Sequence, residues 1–93
     1  MEMQDDRTAE QMQTHTWLVI GTDKFMSGWG RAQGGKSIAA WACLPEHRHM
    51  VLDWVEGRSD MLRVRETTDP YRPRGAGHCH IYVVEDGHPA LGG

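Results

Sequence analysis

Gly30-Arg31-Ala32-Gln33-Gly34-Gly35-Lys36-Ser37 spells G-x-x-x-x-G-K-S, the string in which a glycine-rich loop cradles phosphates while its lysine reaches the outer ones. Ile81-Tyr82-Val83-Val84 followed by Glu85-Asp86 imitates the apolar strand and acid that hold magnesium beside such a loop. The surroundings argue against that chemistry. A phosphate loop starts where a strand stops, but here the strand-like run stops near Thr22 and Asp23–Trp29 intervenes. The parallel βαβ sheet it serves also needs more chain than the roughly 75 residues expected to be ordered can supply. What remains is a glycine-rich loop whose backbone amides, with Lys36, are candidates to hold an anion.

The second group with reactive side chains is His47, His49, His78, His80, Cys43 and Cys79, the ligand types of zinc. His78 and His80 share one face of a strand and could chelate together. His47 and His49 fall roughly 200° apart around a helix and cannot both reach one ion. The chain contains no C-x-x-C pair, and no metal or other cofactor is assigned from it. Nor is a catalytic residue assigned: no Ser-His-Asp set, carboxylate pair or activated cysteine stands out. Cys79 lies between two histidines in sequence, but strand alternation turns it away from both. The two cysteines sit in apolar stretches, where a free thiol behaves as a small buried hydrophobe, and their number suits a reduced compartment.

These residues need elements to position them. Thr16–Thr22 (TWLVIGT) is β-branched and aromatic and predicts a first strand. Asp23–Gly35 is a loop with several glycines, and Lys36–Cys43 (KSIAAWAC) predicts a second strand. Pro45 suits the first turn of a helix, with Met50, Val51, Trp54 and Val55 on one buried face and Gly57 as its stop. Asp60–Glu66 alternates as a third strand. Thr67–Gly77 (TTDPYRPRGAG) must be a loop, and His78–Glu85 (HCHIYVVE) is the last strand. The order β-β-α-β-β predicts a small two-layer α+β domain over residues 15–86, an antiparallel sheet with one helix on one face. Residues 1–14 and 87–93 are expected to be flexible tails, the first one acidic.

Alternation then assigns faces. Cys79, Ile81 and Val83 should lie under the helix with Leu62 and Val64. His78, His80 and Tyr82 should share the open side with Met61, Arg63 and Arg65. Such a stripe could stack bases and pair phosphates, or dock on an acidic protein surface. It could also be an amphipathic solvent face and nothing more.

The net charge of −3 and a 39% hydrophobic content describe an ordinary globular chain. Met1–Thr16 is polar and acidic, unlike a secretory signal, and no run has the ~18–20 apolar residues of a membrane span. A cytoplasmic location is expected. Eight of the ten cations are arginine, the better partner for carboxylates and phosphates. Glu2, Asp5, Asp6 and Glu10 near the start weigh against a non-specific nucleic-acid binder. Of the four tryptophans, Trp17, Trp41 and Trp54 are core candidates. Trp29, in Ser27-Gly28-Trp29-Gly30 just before Arg31, either folds back as a lid or faces a partner.

Gly21-Thr22-Asp23-Lys24-Phe25-Met26-Ser27-Gly28-Trp29-Gly30 and Tyr71-Arg72-Pro73-Arg74-Gly75-Ala76-Gly77-His78-Cys79-His80-Ile81-Tyr82 resemble pieces of small proteins encoded by bacteriophages and mobile elements. The likeness spans about half the chain, and in size and cysteine usage the chain is similar to phage inhibitors of host defence, anti-CRISPR proteins among them. That group shares no motif, so the resemblance carries over no functional residue. It implies a mode of action: a compact domain that blocks a host machine by occupying a surface. The expected function is thus a non-enzymatic protein that binds and inhibits a host protein complex, a ribonucleoprotein among the candidates. Trp29, Arg31, Lys36, Arg72 and Arg74 would make the contacts, and Arg63, Arg65, His80 and Tyr82 would extend the surface. The alternative is a nucleotide or single-stranded nucleic-acid binder using the same cations.

Overall fold

The run Trp17-Leu18-Val19-Ile20 forms the first half of β2 (Trp17–Ser27), which pairs antiparallel with β3 (Lys36–Cys43) from Trp17↔Cys43 to Ser27↔Lys36. This is a computed structural model, and it describes residues 2–27, 36–68 and 76–92. Pro45–His47 makes a 3-10 turn that leads into α2 (Arg48–Glu56). Gly57 closes the helix by donating its N–H to the Asp53 carbonyl at 3.0 Å. The chain then enters β4 (Met61–Thr67) and β5 (Ala76–Val83).

The domain is α+β. Its five-stranded sheet has the order β1-β5-β3-β2-β4, where β1 is Glu2–Asp5. The sheet is mixed where the sequence predicts an antiparallel one. β5 does not pair with β4, the strand it follows in the chain. It lies between β3 and β1 and runs parallel to both, while β4 takes the far edge against β2.

Residues 1–14 and 87–93, predicted as tails, contain structure. β1 pairs with β5 from Glu2↔His78 to Asp5↔Ile81, an edge contact made by backbone groups that requires no apolar side chain. α1 (Ala9–Thr14) follows it, started by a capping box: Thr8 Oγ1 accepts from the Gln11 N–H at 3.1 Å, and Gln11 Oε1 accepts from the Thr8 N–H at 2.9 Å. Arg7 donates to both carboxylate oxygens of Asp5 and to the His15 carbonyl, and Gln11 donates to Glu85. At the other end Pro89–Leu91 forms a 3-10 turn, capped by His88 Nδ1 accepting from the Ala90 N–H at 3.0 Å. Ala90 is buried there in the cluster that holds Val51 and Val55 of α2.

Both sheet faces carry buried apolar residues. One face holds Leu18, Ile20, Ile38, Ala40, Ala42, Cys79 and Ile81, each no more than 2% exposed. The other holds Val19, Trp41 and Cys43 and is covered by Val51 and Val55 of α2. Full burial of each valine, leucine or isoleucine contributes ~1.5–3 kcal/mol. Met50, predicted on the buried helix face, is exposed, and Leu52 packs against the cluster instead.

The alternation read for β5 holds, but the helix lies on the opposite face from the one predicted. Trp41 pairs with Tyr82 and Ala39 with His80, so the histidine and tyrosine side chains share the α2 side, and Cys79 and Ile81 point away. β4 departs further. The register moves from Ile20↔Arg65 to Thr22↔Leu62, leaving Arg63 and Val64 opposite Gly21. Arg63 adopts φ 53°, the left-handed conformation typical of a bulge. The extra residue reverses parity, so Met61 and Val64 pack under α2 while Leu62 is 40% exposed.

Candidate functional site

α2 has nine residues and spans only part of its sheet face. The rest of that face is a groove enclosing about 570 Å³, within the range of ligand sites. Its floor follows from the strand register. Opposite His78 and His80 on β5 stand Ser37 and Ala39 on β3, and opposite Ala39 stands Gly21 on β2. Across this stretch β3 and β2 carry little side chain, so the surface drops. Met61 lies over Gly21, where an added Cβ would come within 2.9 Å of its sulfur. His78, His80 and Tyr82 form one wall, Asp23, Asp60 and Met61 the other, and Trp41, Trp54, Arg58 and His88 the closed end.

The rings form a connected array. His80 stacks on Tyr82 with centroids 4.0 Å apart and planes 17° apart, and Tyr82 stacks on Trp41 at 5.7 Å and 23°. Trp54 meets Trp41 edge-on at 5.6 Å and His88 at 5.1 Å. The Arg58 guanidinium lies 4.9 Å from the Trp54 ring centroid and 5.5 Å from that of Trp41. It also donates to both carboxylate oxygens of Asp60, at 3.1 and 3.0 Å. That pairing pushes Arg58 further up and holds Asp60 below its ordinary range. Burial, with the Arg58 charge nearby, lowers His88. Its Nδ1 accepts a backbone N–H, which only the neutral ring can do. Behind the wall His80 Nε2 donates to Asp6 Oδ2 at 2.8 Å, and this bond lowers Asp6.

The structure brings together some of the sequence-derived residues and separates others. His80 and Tyr82 line the groove. Arg63 and Arg65 do not join them. β4 and β5 are separated by β3 and β2, about 14 Å at the usual inter-strand spacing, and Arg65 stands opposite Ile20 on the other face. The continuous stripe of arginine, imidazole and phenol is therefore absent, because the bulge and strand order break the alternation that predicted it. Lys36 is the first residue of β3, so a strand stands where a phosphate loop would need a helix. Trp29, Arg31, Arg72 and Arg74 lie outside the described residues. His78 and His80 face each other edge-on at 6.5 Å, and among the described residues no three metal-ligating side chains converge.

Sequence reasoning missed Arg58, Asp60, Trp54 and His88 as groove residues. Arg58-Ser59-Asp60 just after a helix stop was a visible local ion pair, but its contact with two tryptophans depends on the fold. No family model, curated protein or solved structure matches this chain.

Proposed function

We propose that this chain is a non-catalytic binding domain that inhibits a host protein complex by occupying one of its surfaces, in the manner of phage-encoded inhibitors of host defence such as anti-CRISPR proteins. It would act in the host cytoplasm. One observation carries the reading: the aromatic groove lies toward the end of the sheet where the first glycine-rich segment leaves β2 and enters β3, and where the second, having left β4 at the opposite end, enters β5. Ser27 pairs with Lys36 and Lys36 with Ala76 at that end, next to Ser37 and His78 of the groove. Trp29 and Arg31 belong to the first segment by sequence, Arg72 and Arg74 to the second, and Tyr82 of the groove is 38% exposed. Tryptophan, tyrosine and arginine are the residue types that dominate binding hot spots.

Capture of partners from a lysate of the native host tests this. The wild-type chain is expected to retain a protein complex. The Trp29→Ala/Arg31→Ala double variant, still folded by circular dichroism, should lose ~2 kcal/mol or more of binding, about 30-fold in affinity. Equal retention by both proteins would remove these residues from the interface.

The parallel stack of His80, Tyr82 and Trp41 favours one rival, a nucleotide or single-stranded nucleic acid held by ring stacking. Phosphate contacts make log K fall linearly with log salt. Absence of any mobility shift with single-stranded RNA or DNA, or of nucleotide binding, at ~50 mM salt would remove this rival.

A further inference from the structure

We infer that the groove seats an arginine side chain presented by the partner protein, an inference that rests on the docking reading above. Three observations converge on a planar cation. The first is charge. The carboxylates of Asp23 and Asp60 line the groove against the single guanidinium of Arg58, and Asp6 adds another carboxylate behind His80. Counted without the histidines, the lining holds two carboxylates to one guanidinium, a balance that disfavours phosphate and favours a cation. Asp23 contributes its field here and needs no vacant lone pair, since it already takes part in an interaction of its own.

The second is shape. Ser37 and Ala39 leave a low floor beside a wall of near-parallel rings, a slot suited to a flat group. A guanidinium is planar and stacks on aromatic faces, whereas an ammonium is a compact, strongly hydrated point charge. Tyr82, stacked on both His80 and Trp41, remains 38% exposed beside that floor.

The third is internal precedent. The closed end of the groove already holds a guanidinium in this manner: Arg58 lies over Trp54 and Trp41 and forks onto Asp60. Beside it stand the rings of His80 and Tyr82, and the Asp23 charge acts on the same place, since it raises Arg58 as well.

Titration of the full chain with Nα-acetyl-arginine methylamide, followed by amide and indole NMR shifts, tests the inference without any knowledge of the partner. Saturable shifts at Ala39, His80, Tyr82 and the Trp54 indole are expected, with the lysine analogue at least fivefold weaker. Ala39→Leu fills the floor and should weaken the arginine compound at least tenfold, and Tyr82→Ala should do the same by removing the exposed ring. No saturable shift up to about 20 mM would overturn the inference. So would tighter binding of adenosine monophosphate at the same residues, or unchanged affinity in both variants. If the compound binds but no host protein is captured, the docking reading fails and the site stands. If a partner is captured and the compound does not bind, only this inference falls.

Discussion

The two faces of the sheet handle burial in different ways. On one, the central strands contribute Leu18, Ile20, Ile38, Ala40, Ala42, Cys79 and Ile81, aliphatic or small side chains that are all closed to solvent. On the other, Val19, Trp41 and Cys43 are buried under Val51 and Val55 of α2, but Ser37, Ala39, His78, His80 and Tyr82 continue past the helix and line a groove. β3 shows the contrast within one strand, where alternate residues Ile38-Ala40-Ala42 meet a filled layer and the half-buried Ser37 and Ala39 line the groove. Polar aromatic residues occupy that second face because the helix is shorter than the strands it covers. Their rings stay partly wet and pack on one another.

The largest expected effect breaks the comparison at matched substitutions. Leucine at position 42 must fit into a face where the residue is fully buried, and overpacking of that kind costs ~1–3 kcal/mol or more. Leucine at position 39 enters the groove and should change stability by less than about 0.5 kcal/mol. Urea denaturation of Ala42→Leu and Ala39→Leu measures both. Equal losses would mean that the groove is as closed as the other face.

A smaller effect concerns the bulge that redirects β4 between the faces. Arg63 holds φ 53°, which costs an L-residue ~1–2 kcal/mol, while glycine adopts it freely but loses more chain entropy on folding. Arg63→Gly should therefore stabilise the domain by ~0.5–1 kcal/mol, read as a raised thermal midpoint. A destabilised variant would show that the arginine side chain contributes more there than its backbone strain costs.

Much of this fold was legible because apolar patterning is local. β3, α2, β4 and β5 lie within three residues of the segments that KSIAAWAC, Pro45–Gly57, DMLRVRE and HCHIYVVE predict, while β2 starts with TWLVIGT but continues five residues past Thr22, through Asp23–Ser27 of the expected loop. β1 and α1 were hidden because what holds them is polar: backbone pairing at an edge, Arg7 on Asp5, and the Thr8–Gln11 box. The T-x-x-Q spacing of that box was readable and would have marked the helix start. The choice of sheet face was not readable from β5. Cys79-Ile81 and His80-Tyr82 alternate correctly, but which set meets α2 depends on Val19, Trp41 and Cys43, in strands apolar on both sides. The groove followed the same logic: Ser37 and Ala39 become a floor only once the register sets them beside His78 and His80.

The finest test of the comparison uses the two thiols, one on each face. Burial pushes the Cys43 thiol up from 9.0 to about 11 and raises Cys79 as well, with the charges of Glu66 and Asp5 adding to the respective shifts. A thiol favoured in its neutral form stabilises the fold below pH 9.0, and for Cys43 that contribution is lost as pH rises toward about 11. At pH 8 only about one Cys43 in a thousand would be thiolate, the form that attacks alkylating reagents. Native protein should therefore react with iodoacetamide slowly at both sites and rapidly once unfolded, with peptide mass spectrometry resolving the two. Similar protection would mean that the aliphatic face around Cys79 is as well closed as the helix-covered end around Cys43. Faster labelling at Cys79 would place the weaker layer on the side away from α2 and make the groove an opening in the better-protected face.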